Sequence, residues 1–132
     1  MREYVRLQTS ILLRRLAYQL SHAKSGDGAA IHDLRVSIRR FTACLRTFSR
    51  FYPGHSGKRI RRRLDALMEL AGAVRNLDVT LDLLAEAGVP AHSALAVGLR
   101  EKRVRACHRL EHEIRLWKLR GFSRKWRNRL EL

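Results

Sequence analysis

His32, Arg35, Arg39 and Arg46 are the residues in this chain whose types and spacing most clearly fit a binding chemistry. At about 100° per residue the three arginines fall within about 60° of His32 on one helical face. Leu34, Ile38, Phe41, Leu45 and Phe48 occupy the opposite face. The pattern predicts a cationic stripe roughly 21 Å long, backed by a core-facing stripe. A solvated face is the ordinary reading of a charged helix, but such faces usually mix acids with bases, and this one carries a single sign. Like charges at i, i+4 cost helix stability, so Arg35 and Arg39 call for an anionic partner. Guanidinium forks suit phosphate oxygens, and a histidine in the first turn of its helix would add a donor near the positive dipole end.

Other arrangements carry less. His108-Arg109-Leu110-Glu111-His112 fits an inverted zinc-protease pattern, but no third ligand is at hand and both histidines point away from the apolar stripe. Gly54-His55-Ser56-Gly57-Lys58 echoes a phosphate-binding loop without its spacing, its hydroxyl after the lysine or a preceding strand. Cys44 and Cys107 stand far apart with no CxxC, so neither a disulfide framework nor a zinc knuckle is suggested. No catalytic residue, metal site or cofactor is expected. Arg103 falls on the apolar side of its helix and needs a partner, with Asp33, Asp78 and a bound anion as the alternatives.

The chain that must position these groups has 132 residues, with 28 Lys and Arg against 12 acids and a formal charge of +16. Its hydrophobic fraction of 45% is too high for a disordered basic tail, and its length is right for one domain, 1–132. An extracellular mini-protein, an acidic chaperone and an ordinary two-domain enzyme are excluded. The charge is uneven: residues 31–63 carry ten bases and only Asp33, residues 100–129 carry twelve bases and three acids, and residues 64–86 carry Arg75 against five acids. Such a balance points to a polyanionic partner. Nothing at the N-terminus reads as a signal peptide and no apolar run approaches a membrane span, so a cytoplasmic protein with no membrane partner is expected.

The periodicity predicts helices at about 2–22, 29–52, 56–75, 77–87 and 91–119, then a short one carrying Phe122 and Trp126. Pro53 and Pro90 fall in breaks, and no strand alternation stands out. The fold class is therefore all-α, an antiparallel bundle of four long helices plus short ones.

The stretch from Ile31 through His32, Leu34, Arg35, Val36, Arg39 and Arg40 to Phe41 resembles the signature of the CHAD family, the conserved histidine α-helical domains. Ala71-Gly72-Ala73-Val74-Arg75-Asn76-Leu77-Asp78-Val79 is similar to a second family element, with Asn76 where the family usually has Asp. The segment from Trp117 to Trp126 resembles the family's closing segment. The resemblance implies an all-helical module that binds inorganic polyphosphate. It carries over His32, Arg35, Arg39, Arg40 and Arg75 as anion-binding positions, to which the charge pattern adds Arg46, Arg62 and Arg103. It also implies that Asp78 orients a motif arginine, beside the plainer reading of an acid in the first turn of a fourth helix. Family members typically carry two such repeats and this chain contains one, which implies a homodimer standing in for the second, strengthened by bound anion. Two other classes are kept as alternatives. A nucleic-acid-binding bundle lacks Asn or Gln on the stripe for base reading. An enzyme acting on phosphate compounds would need acids beside the bases, and the acids cluster in 65–86.

Overall fold

The computed structural model describes residues 2–23 and 26–132. Four long helices follow one another, α1 (Arg2–His22), α2 (Gly28–Thr47), α3 (Ser56–Glu86) and α4 (Ala94–Leu119), and α5 (Phe122–Arg129) closes the chain. Each long helix packs on its neighbour in sequence, α1 on α2, α2 on α3 and α3 on α4, while α5 folds back against α1 and α4. This is the antiparallel all-α bundle that the periodicity predicts.

One stripe per helix builds the core. Val5, Leu13, Leu16 and Leu20 of α1 meet Ile31, Leu34, Ile38, Phe41 and Leu45 of α2, and Ile60, Leu64, Leu67, Ala71 and Val74 of α3. From α4 come Ala106, Leu110, Ile114 and Trp117. Gly121 lies at φ 62°, a left-handed conformation that glycine adopts without a side-chain clash, and so turns the chain back. That turn delivers Phe122 and Trp126 to the gap beside Trp117. Trp126 sits edge-on to Trp117 at 5.0 Å and to Phe122 at 5.3 Å, and reaches Phe41 of α2 at 6.0 Å.

Three helix boundaries differ from the sequence expectation. The second helix stops at Thr47, well short of 52, and a 3-10 turn spans Ser49–Phe51. Pro53 disfavours helical backbone at the residue before it, and Tyr52 is extended at ψ 145°. The expected helices at 56–75 and 77–87 are one helix of 31 residues. Neither Pro nor Gly lies between 73 and 86, and the Thr80 hydroxyl donates to the Asn76 carbonyl at 2.8 Å within the unbroken helix. The fourth long helix begins at Ala94, because Pro90 to Ser93 form a turn and the Ser93 hydroxyl caps Ala96 N–H at 3.2 Å.

Thr9 is a buried polar residue in the core. Its hydroxyl donates to the Val5 carbonyl at 2.6 Å, so it accepts from the Tyr52 hydroxyl at 2.7 Å. Cys44 Sγ lies 3.6 Å from the same Tyr52 oxygen. Burial pushes the Tyr52 hydroxyl well above its ordinary pKa. The unfolded chain then ionises first, so this tyrosine's contribution is fully present below pH ~10 and is lost as pH climbs beyond it. Tyr52→Phe should cost about 0.5–1.5 kcal/mol at neutral pH and flatten that alkaline decline. Denaturation titrations at neutral and alkaline pH test this, and a decline of unchanged slope in the variant would show that Tyr52 is not its source.

Candidate functional site: an arginine-lined groove between the second and third helices

The stripe of α2 is split by the packing of its neighbours. Ile31, Leu34, Ile38, Phe41 and Leu45 point into the core, which leaves one flank toward α1 and the other toward α3. Arg39 and Arg46 lie on the α3 flank and line a cleft of about 180 Å³ with Thr42, Asp65 and Met68. Arg40 lies on the other flank and lines a separate cleft of about 320 Å³ with Arg15, Tyr18, Asp33 and Ser37. Arg40 therefore faces the α1 flank, about 100° round the helix from Arg39. His32 is exposed beside the stripe. It stands in the second turn, because α2 starts at Gly28 and Ile31 N–H already bonds the Asp27 carbonyl. The expected placement in the first turn, with free N–H groups around it, does not hold.

The register of α2 on α3 follows from two observations. Arg39 shares a cleft with Asp65 and Met68, and Gly28 lies so near α3 that a Cβ there would be 3.7 Å from Asp78 Oδ2. In an antiparallel pair that register sets Arg46 opposite Arg61, Arg35 opposite Gly72 and His32 opposite Arg75. With Ile60, Leu64 and Leu67 facing the core, Arg61 and Arg75 turn to the α2 side. The groove thus gathers His32, Arg35, Arg39 and Arg46 from one wall and Arg61 and Arg75 from the other, with Asp65 as the acid in its cleft. Arg35 Nε and Arg61 Nε are buried and meet no hydrogen-bond partner among the described residues.

Arg62, the residue favoured by the sequence pattern, is exposed and points about 200° away from Ile60, out of the bundle. Arg61 takes the place in the groove that the pattern assigned to Arg62. Its signal was present in the sequence: Ile60 and Leu64 fix the buried stripe, and Arg61 is one step toward the side that α2 covers. Arg63 turns the other way, its guanidinium 5.4 Å from the Trp117 ring centroid.

Arg103 resolves to one of its three alternatives. Its Nε and Nη2 donate to the Asp78 carboxylate, and Nη2 also donates to the Gly26 carbonyl at 2.7 Å. The bond to Asp78 raises the Arg103 pKa, against the opposing effect of burial. Arg103 is thereby tied to protein acceptors from α3 and from the approach to α2. Asp78 lies mid-helix in α3, not in a first turn, and the arginine it orients is Arg103 of α4 and not one of the motif arginines on α2 or α3. This pair pins the chain where it enters the helix that carries His32 and Arg35.

Elsewhere, Glu111 pairs with Arg115 at 3.7 Å, and His108 and His112 are exposed along α4. Among the described residues no group of three or more His, Cys, Asp or Glu is placed to hold a metal ion. No helix among the described residues is long and apolar enough to cross a membrane. Burial pushes the Cys107 thiol above its ordinary value, away from a reactive thiolate.

The fold and the groove together define a helical bundle that presents guanidinium groups along the seam of its second and third helices. The family model described as the CHAD domain matches residues 9–132, and the chain belongs to that family. Neither a curated protein nor a solved structure matches it.

Proposed function

We propose that the chain is a binding module for inorganic polyphosphate, held in the groove between α2 and α3, with no reaction of its own and the cytoplasm as its setting. The observation that carries this reading is the cleft that Arg39 and Arg46 line with a single acid, Asp65, in a helix register that sets Arg35, Arg61 and Arg75 along the same seam. A polyphosphate chain offers about one charge per phosphate and no base edges, so charge density and fork donors are what it requires. Buried Nε groups without a protein partner suit oxygen acceptors that arrive with the ligand. Membership in the CHAD family, which is associated with polyphosphate, supports the same assignment. Nucleic acid is the second reading, favoured only by the net charge of +16.

Fluorescence or calorimetric titrations at several salt concentrations test the proposal. Log affinity for long polyphosphate should fall linearly with log salt, with a slope reflecting several phosphates. Pyrophosphate and ATP should bind more weakly, since neither spans roughly 21 Å of groove. Arg39→Ala and Arg61→Ala should each lower affinity about five- to tenfold and reduce the slope by about one contact. Arg39→Lys should recover part of the loss, keeping the charge without the fork. Arg124→Ala removes the same charge from α5, away from the groove. A loss there equal to that of Arg39→Ala would mean binding to diffuse charge and no groove site. Displacement of polyphosphate by equimolar duplex DNA would favour the nucleic-acid reading instead.

A further inference from the structure

The end of the α3–α4 hairpin is a helical arm without a core of its own. Gly28 lies beside Asp78, so α2 begins level with that residue while α3 runs on for two more turns to Glu86. On the returning strand of the hairpin, Arg103 is the residue opposite Asp78, and α4 has already run from Ala94. Residues 79–102 therefore project past the end of α2. Between 75 and 105 Ala96 alone is buried, although the segment is rich in aliphatic side chains. Val79, Leu83, Leu95, Val97 and Val104 stand exposed, five of the nine exposed large hydrophobic side chains among the described residues, with Leu83 at 58% and Leu95 at 57%. Two helices that bury almost no side chain between them leave this apolar surface in water, and exposed aliphatic side chains gathered in one segment mark an interaction site.

The charge pattern says what can cover this surface. From 76 to 99 the chain holds Asp78, Asp82 and Glu86 and not one Lys or Arg, in a molecule of net charge +16. Two copies approaching along almost any other face bring arginine against arginine. Along the arm they bring aliphatic surface together and place Asp82 and Glu86 of each copy toward the basic stretch that begins at Arg100 and Lys102 of the other. Arg100 is partly engaged already, donating to the Ala91 carbonyl at the arm's tip. We infer that the arm is a self-association surface: two copies pack arm against arm about a two-fold axis, so that two helical hairpins share the four-helix core that neither has alone. The arginine grooves then lie outside the contact, and the inference stands whether or not their ligand is polyphosphate.

Sedimentation and light scattering from micromolar to submillimolar protein test it, with no polyanion added. A dimer is expected that tightens as salt rises, because salt screens the repulsion between cationic bodies and leaves apolar burial intact. Leu83→Asp combined with Val97→Asp should weaken the dimer about tenfold or more while helical content holds. Leu7→Asp, on the exposed face of α1, should leave it unchanged. A wild-type protein that stays monomeric at every concentration and salt overturns the inference. So does a dimer that survives the double substitution, or one that is lost in Leu7→Asp in its place.

Discussion

Trp126→Ala should be the most destabilising single truncation in the protein, at about 3–5 kcal/mol. Trp126 is fully buried on a helix of eight residues, and it joins parts of the core that otherwise meet poorly. Its ring contacts Trp117 of α4, Phe122 of its own helix and Phe41 of α2. Truncation leaves a cavity that the surrounding rings cannot close, because each is fixed by its own helix. Arg127 would still donate to the Ser10 hydroxyl at 3.0 Å, but one partly exposed hydrogen bond contributes far less than the lost ring. Urea denaturation of the purified variant measures the loss. A cost below about 1 kcal/mol would mean that α5 is an appendage and not part of the core.

The elements were legible in the sequence because each helix buries one stripe. Leu34, Ile38, Phe41 and Leu45 gave the direction of α2, and the opposite stripe followed from it. The break placed at 76 had no such support. No Pro or Gly lies between 73 and 86, so the helix runs through it. The groove was half legible. A helical wheel places Arg35, Arg39 and Arg46 together, but it cannot say which neighbouring helix covers which flank. Arg40 belongs to the family motif, which does not say on which flank of α2 each arginine falls, and the run Arg61-Arg62-Arg63 does not by itself say which of the three faces α2. The arm was hidden for a related reason: its aliphatic residues look like core until the ends of α2 and α3 are compared. Arg103 was recognised as needing a partner, and only the register of α4 on α3 could choose Asp78.

That choice has a consequence for binding that separates two roles for Arg103. If its guanidinium touches the anion, Arg103→Ala weakens binding, and Asp78→Ala, which deletes a nearby negative charge, preserves or strengthens it. If the pair is a clamp, Arg103→Ala releases the Gly26 carbonyl and Asp78→Ala frees the guanidinium that holds it, so both loosen the entry to α2, where His32 and Arg35 begin the groove. The geometry favours the clamp, since Nε and Nη2 are both spent on protein acceptors. Each single substitution should therefore cost about 1–3 kcal/mol of stability, the Asp78 change leaving a guanidinium whose side chain is only 26% exposed. The exposed fraction keeps the figure below that of a fully buried pair. The double variant Asp78→Ala with Arg103→Ala should lose markedly less than the sum of the two, because either single change already breaks the Arg103–Asp78 pair. Polyphosphate affinity should fall in parallel in both single variants, and Arg46→Ala, at the other end of the groove, should add its own loss independently. Tighter binding in Asp78→Ala would overturn the clamp and put Arg103 among the anion's direct contacts.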